Sequence, residues 1–154
     1  MSLSSDLISF EARIDNVLRR ATEAGGDEEL RANLARYACV LASGYLEESV
    51  RVVVGNWCNG KSHAHIGAYV SRQLDWFLNP KLGKIYEELE RFSPAWKVAF
   101  ENALSDEEKD AVNSVVNNRH QIAHGRNVGV SPHIMDRYFT CCKAAVRKLD
   151  RVVT

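Results

Sequence analysis

The sequence predicts an all-α fold, a helical bundle of about five to six helices in one domain spanning residues 1–154. Apolar residues recur at intervals of three and four along most of the chain, and no segment shows the strict alternation typical of a β-strand. Serine, proline and glycine interrupt this pattern where helices are predicted to begin or end. A length of 154 residues with 45% hydrophobic residues suits a single unit with its own core.

The first half of the chain is predicted to contain two longer helices and two shorter ones. The first helix ends at Gly25–Gly26, and Asp27 caps a second helix that extends to about Val54. The stretch VGNWCNGKS is predicted to break this helix. Ser62 is the predicted cap of a third helix that ends before NPKLG, and a short helix follows from about Ile85 to Phe92.

The helix boundaries are best specified in the second half of the chain. The dipeptide SP occurs at positions 93–94 and 131–132, and each pair supplies a serine cap followed by proline at the first helical position. Ser105 and Glu108 form a capping box that opens a helix, and Gly125 is placed to end it. The last helix is predicted from about Pro132 to Val152.

The composition limits the function classes. The N-terminus has no uninterrupted apolar run of the secretory type, and no segment approaches about 18 consecutive apolar residues, so we expect a cytoplasmic protein without membrane contact. The four cysteines, at positions 39, 58, 141 and 142, form neither a CxxC pair nor a secreted disulfide framework. We expect them to be small buried residues, with no metal bound.

Charge is unevenly distributed along the chain. Twenty basic and 20 acidic residues give zero net charge, but from Arg119 onward seven basic residues stand against two acidic ones. This asymmetry permits a phosphate-binding surface near the C-terminal end.

One arginine in the helix that opens at Ser105 occupies a position expected to be buried. On a helical wheel of about 100° per residue, the neighbours within about 60° of Arg119 are apolar: Val112, Val115, Val116, Ile122 and Ala123. A buried guanidinium without a partner would be very costly. Arg119 must therefore meet a carboxylate, a backbone acceptor, a solvent-filled cleft or a ligand anion.

A file of polar side chains runs along the flank of the same stripe, formed by Asn113, Asn117, His120 and His124. Arginine matches phosphate geometry, and histidine can donate or accept a proton near neutral pH. Together these groups suit cleavage of RNA by its own 2′-hydroxyl without a metal. Arg119 and His124 lie about 140° apart on an ideal helix, however. Either the last turn is distorted, or a second copy of the chain completes the site, and we favour the second option.

The segment RHQIAHG, which runs from Arg119 to Gly125, resembles the RxxxxH motif of the HEPN superfamily, most closely the RiboL-PSP-HEPN subgroup. In that family the residue after the arginine is usually asparagine, aspartate or histidine, and here it is His120. The resemblance implies an all-α homodimer whose motifs face each other across a cleft. It also implies metal-independent RNA cleavage in toxin or antiviral defence systems, with Arg119 and His124 as the catalytic pair.

The leading hypothesis is therefore a homodimeric endoribonuclease with Arg119, His124 and His120 as catalytic residues and no cofactor. The residues predicted to bind the RNA substrate are Asn117, Arg126, Arg137 and Lys143. An antitoxin or another defence protein is a further possible partner. The rival hypothesis is a non-catalytic helical module that binds a partner protein or a nucleotide through the same arginine.

Several structural explanations compete with the functional ones. Arg119 could pair with a buried carboxylate such as Glu47 or Glu48, and His124 could simply be favoured by the negative end of the helix dipole. His120 and His124 could bind a metal, although no third ligand is fixed by spacing. The other three histidines, at 63, 65 and 133, are predicted at the surface. The tryptophans at 57, 76 and 96 are predicted as core anchors in preference to base-stacking platforms.

Overall fold

The computed structural model describes residues 3–154, and this part of the chain contains seven α-helices and no β-strand. The helices are α1 (Ser5–Glu23), α2 (Glu28–Lys61), α3 (Ala64–Leu74), α4 (Leu82–Phe92), α5 (Pro94–Ala103), α6 (Asp106–Ala123) and α7 (Pro132–Val152). The all-α prediction is confirmed, but the expected five to six helices are too few. Ser93 has an extended backbone and separates α4 from α5, so the region between residues 82 and 103 holds two helices.

Helix α2 is the centre of the fold. It has 34 residues and contacts α1, α3, α6 and α7. The predicted break after Val54 is wrong, because the helix continues through VGNWCNGKS to Lys61. Gly55 and Cys58 are buried there, and the Trp57 ring lies 4.7 Å from the ring of Trp96, centroid to centroid. We attribute the continuity of the helix to this packing, which offsets the cost of about 1 kcal/mol for each helical glycine.

Most of the predicted caps are formed. Asp27 accepts a backbone hydrogen bond at 3.0 Å, and the capping box of Ser105 and Glu108 has both of its bonds, at 3.1 and 2.9 Å. Ser131 caps α7 in the same way. Two serines differ from the prediction. Ser62 ends α2, with its hydroxyl donating to a carbonyl of that helix at 2.7 Å, and it does not cap α3. Ser93 precedes Pro94 at the start of α5, but its side chain forms no capping hydrogen bond.

The core contains buried residues from all seven helices, and one acid is buried among the described residues. Glu11 of α1 accepts hydrogen bonds from Tyr45 of α2 and from Arg147 of α7, the latter with Nη2 at 2.7 Å from Oε2. Burial by itself raises the pKa of Glu11, but the hydrogen bonds from Arg147 and Tyr45 outweigh it and leave the pKa below its usual value. The network ties the three helices together.

The expected burial is confirmed for Cys39, Cys58 and Cys142 but not for Cys141, and the expected surface position is confirmed for three histidines. Three cysteines are buried and Cys141 is half-buried, all four are free thiols, and the histidines at 63, 65 and 133 are exposed. Trp57 and Trp96 pack in or against the core, whereas Trp76 is 80% exposed, so its predicted core role is wrong.

Within residues 3–154 no helix is both long and apolar enough to cross a membrane.

Candidate functional site

The C-terminal end of α6 is closed by a glycine in the left-handed conformation. Gly125 has φ +69°, and its N–H donates to the carbonyl of Ile122 at 3.0 Å. The N–H of Arg126 reaches back to the carbonyl of Gln121, also at 3.0 Å. These two bonds form a Schellman motif, as the predicted helix end requires. His124 is consequently fixed as the last residue before the chain turns away.

The two histidines of the motif touch each other. The ring centroids of His120 and His124 are 4.4 Å apart, with the ring planes at 66°. Both side chains are exposed at the end of the helix. An edge-to-face pair of this kind places two groups capable of proton transfer side by side, within reach of a substrate.

The stripe of α6 that carries Arg119 is buried at first and then opens. Val112, Val115 and Val116 are buried, Ile122 is half-buried and Ala123 is exposed. Arg119 lies at this transition and is itself half-buried. The position expected to be buried is thus only half-buried, because it lies where the buried part of the stripe ends.

The Arg119 guanidinium has no hydrogen bond or ion pair to any residue between 3 and 154. The carboxylates proposed as structural partners are engaged elsewhere. Glu47 accepts a hydrogen bond from the backbone N–H of Asn79 at 3.0 Å, and Glu48 lies 3.6 Å from Nη1 of Arg51. The hypothesis of a structural pair between Arg119 and Glu47 or Glu48 is therefore wrong.

Three other half-buried arginines show what a structural role looks like in this protein. Arg51 donates to three backbone carbonyls, Arg147 to Glu11, and Arg36 to Asn33 and Asn127. Arg119, like the half-buried Arg31 of α2, has no such partner within residues 3–154. Such a group is available to an external anion.

The backbone at Arg119 is held firmly against α2. The buried Cys39 thiol donates to the carbonyl of Val115, one turn before Arg119, at 3.4 Å. Burial raises the pKa of Cys39 to about 12, and the Arg119 N–H lowers it only in part. Cys39 therefore positions the helix and is no thiolate nucleophile.

Arg119 and His124 are not linked within one chain. No hydrogen bond joins Arg119 to either histidine among the described residues, and the His124 ring contacts His120 instead. Positions 119 and 124 are about 140° apart around an α-helix, so these two residues lie on different faces of α6.

Two of the predicted substrate-binding residues lie at the same part of α6 as the motif. Asn117 is exposed and lines an open groove, and Arg126 is exposed next to Gly125, with Nη1 donating to the side-chain oxygen of Gln121 at 2.8 Å. Arg36 of α2 donates to Asn127 at 3.2 Å and holds the loop after the motif. No local sequence pattern indicates this contact, since the two residues are 91 positions apart.

Arg137 and Lys143 are placed away from the motif. Arg137 forms an ion pair of 3.2 Å with Glu107, which lies twelve residues, or about 18 Å of helix, before Arg119. Lys143 lies 3.0 Å from a carboxylate oxygen of Asp15 on α1. The structure does not bring these two cations together with the histidine pair.

No group of three or more metal-ligating side chains is found within residues 3–154.

The sequence profile of the RiboL-PSP-HEPN family matches residues 5–154. The chain belongs to the RiboL-PSP-HEPN family. This match confirms the resemblance inferred from Arg119, His124 and the helical pattern, and it covers every helix of this HEPN domain. Neither the curated proteins nor the solved structures contain a significant match to the chain.

Proposed function

We propose that this HEPN protein is a metal-independent endoribonuclease in which Arg119, His124 and His120 are the catalytic residues. The observation that supports it most directly is the unpaired, half-buried guanidinium of Arg119, in the same motif as two exposed histidines in ring contact. HEPN domains are often ribonucleases, and membership of the family agrees with this assignment.

The proposed reaction uses the RNA as its own nucleophile. The 2′-hydroxyl attacks the adjacent phosphorus, and the bond from phosphorus to the 5′-oxygen breaks, which leaves a 2′,3′-cyclic phosphate and a 5′-hydroxyl. His124 transfers the proton from the attacking 2′-hydroxyl to the departing 5′-oxygen, and His120 orients the His124 ring. Arg119 stabilises the negative charge that builds on the phosphorane. General acid–base help contributes about 10² to 10⁴ in rate, and one positioned charge contributes about 10² to 10³.

We also propose that a homodimer completes the site. Arg119 and His124 lie on different faces of α6, so a single chain supplies only one of them to a given phosphate. A two-fold axis beside the helix end would set Arg119 of one protomer opposite His124 of the other.

RNA binding in this proposal is concentrated near the motif. Asn117 and Arg126 flank the histidine pair and contact the strand directly. Arg137 and Lys143 remain candidates for the more distant backbone, and they would exchange their ion pairs with Glu107 and Asp15 for phosphates. Exposed ion pairs of this kind are worth only about 0.2–1 kcal/mol, so the exchange is inexpensive.

The biological setting we propose is a cytoplasmic toxin or antiviral defence system, with an antitoxin or another defence protein as partner. The alternative is a non-catalytic module in which Arg119 clamps a phosphate of a nucleotide or contacts a partner protein. The same unpaired guanidinium supports that alternative.

Cleavage of RNA in excess EDTA distinguishes the two proposals. The wild-type protein is expected to cleave RNA. The cleavage rates of Arg119→Ala and His124→Ala are expected to be lower than that by about 100-fold or more. Arg72→Ala and His133→Ala replace an exposed arginine and an exposed histidine outside the motif, and they are expected to cleave normally. Circular dichroism should show the same helicity for all variants. Equal cleavage by all five proteins, or by none, would contradict the enzyme assignment.

A further inference from the structure

Trp76 is an aromatic side chain that the fold holds in the solvent. It lies between α3 and α4 and is 80% exposed. The surrounding backbone is nevertheless fixed, because Arg51 of α2 donates from Nε to the carbonyl of Leu74 at 3.1 Å and from Nη2 to that of Phe77 at 3.0 Å. Glu47 fixes the next turn by accepting from the N–H of Asn79 at 3.0 Å. The ring is thus presented from an anchored segment.

Two adjoining grooves connect Trp76 with the polar file of α6. Trp76 lines the first groove together with Lys84 and Glu87. The same lysine and glutamate line a second, open groove of about 650 Å³, which extends to Asn113 and Asn117. Because Lys84 and Glu87 border both, the two grooves form one surface.

The asparagine end of this surface leads to the histidine pair. Asn113, Asn117, His120 and His124 follow one another at spacings of four, three and four, within about 60° of one face of α6. Asn113 uses its side-chain oxygen to accept from the N–H of Leu82 at 3.0 Å, so its amide N–H groups remain for a ligand. Asn117 has no side-chain partner among residues 3–154 and is exposed.

The two grooves together are bordered by three cations and two acids, which gives this surface a net charge of +1. Lys81 borders the second groove, and within residues 3–154 it has no side-chain hydrogen bond or ion pair. Lys84 makes one bond, to the carbonyl of Leu78 at 2.7 Å, and keeps two donors free. Of the two acids, Glu88 is paired with Arg91 at 3.1 Å, whereas Glu87 has no ion pair within residues 3–154.

We propose that Trp76 stacks a base of single-stranded RNA bound along this surface, with Lys81 and Lys84 on phosphates and Asn113 and Asn117 on base edges. The inference rests on the proposed RNA substrate and adds a binding track that runs from the histidine pair to Trp76. Stacking on an anchored aromatic ring beside cationic and amide side chains is the usual way in which proteins hold single strands. Every residue that lines the second groove, apart from Gly83, has a polar or charged side chain, which favours a nucleic acid over an apolar protein surface.

Binding is best measured with a fluorescently labelled 2′-O-methyl oligonucleotide, which cannot be cleaved because it lacks the free 2′-hydroxyl. Trp76→Ala is expected to weaken binding about 5- to 150-fold, the range for loss of one stacked base, and Trp76→Phe to recover most of the affinity. Lys84→Ala should lower the slope of log affinity against log salt by about 0.7, the value for one phosphate on a single strand.

Two control variants test the location of the track. Tyr69→Ala removes another exposed aromatic, on α3 and outside both grooves, and Arg151→Ala removes an exposed cation at the end of α7. Both are expected to bind as the wild type does. Unchanged affinity of Trp76→Ala, or an equal loss in Tyr69→Ala, would overturn the proposal and leave the Trp76 surface to a protein partner.

The result of this binding test can be distinguished from the result of the cleavage test of the nuclease assignment. If Trp76→Ala weakens binding while the wild-type protein cleaves no RNA in EDTA, the track stands and the catalytic proposal fails. If Trp76→Ala binds normally while Arg119 and His124 remain essential for cleavage, the catalytic proposal stands and the track fails.

Discussion

At the scale of single residues, polar groups near the core show which interactions are structural. Glu11, Tyr45 and Arg147 satisfy one another inside the bundle, whereas Arg119 is left without a partner at the edge of it. Leaving a buried polar group unpaired costs about 1–3 kcal/mol, so folding favours the first arrangement. The guanidinium of Arg119 avoids much of this cost by reaching solvent, and it keeps its charge available.

The Glu11 network makes stability depend on pH. The folded-state pKa of Glu11 lies below its usual value of 4.5, so the ionised carboxylate stabilises the fold above that pH. Glu11→Gln is expected to lower the free energy of unfolding by about 1 kcal/mol at neutral pH, a modest value because Arg147 is partly exposed. The difference from the wild type should shrink as the pH falls through the folded-state pKa, below 4.5.

Urea unfolding at neutral pH and at about pH 3 measures this difference. Asp15→Asn is the matched control, since Asp15 is half exposed and pairs with Lys143 at the surface. It is expected to change stability by less than about 0.5 kcal/mol. A Glu11→Gln deficit that persists undiminished in acid would contradict the role assigned to the carboxylate charge.

At the scale of elements, helix ends determine where the candidate catalytic groups lie. Helix α6 begins at a capping box and ends at a Schellman motif, and both ends follow from local sequence. Helix α2 does not end where its glycines and asparagines predict, because contacts with α3 and α5 extend it. Local chemistry therefore decides the end of α6, and tertiary packing decides the end of α2.

Substitution of Gly125 tests how much the left-handed turn at the end of α6 contributes to stability and activity. Gly125→Ala is expected to destabilise the protein by about 1–2 kcal/mol, because a side chain is disfavoured in the left-handed conformation. A Cβ atom at this position would meet nothing within 4 Å, so the cost is conformational and not steric. Displacement of His124 should also reduce RNA cleavage, by up to about 100-fold.

Gly129→Ala is the matched control in the same loop. Its added Cβ also meets nothing within 4 Å, and its φ is not in the left-handed range. Its effect on stability, measured by thermal unfolding, is expected to stay within about 0.5 kcal/mol. Equal losses from both substitutions would show that the loop, and not the backbone conformation at Gly125, sets the stability.

At the scale of the whole molecule, the central question is how Arg119 and His124 reach one phosphate. The single chain separates them around α6, so we predict complementation between two inactive variants. Mixing Arg119→Ala with His124→Ala gives heterodimers in which one site has both groups and the other has neither. About one quarter of wild-type activity should return after subunit exchange, because half of the dimers are mixed.

Cleavage assays and sedimentation velocity on the mixture test this prediction together. Arg119→Ala mixed with the double variant Arg119→Ala/His124→Ala is the control, since neither chain then supplies the arginine. Sedimentation should show a dimer at micromolar concentration. A dimer whose mixed variants stay inactive would place both groups in the same protomer.

Local sequence patterns are sufficient to predict the helical class, most helix boundaries, the family and the motif. These depend on local spacing: the capping box at Ser105, the glycine at 125 and the arginine within an apolar stripe are each readable from a few neighbouring residues. The structure decided what depends on distant partners. In the structure, Glu47 and Glu48 bind groups other than Arg119. Arg137 and Lys143 lie in separate ion pairs, and Trp76 is exposed. Side-chain pairing and exposure are set by helices far apart in the chain, and no local pattern encodes them.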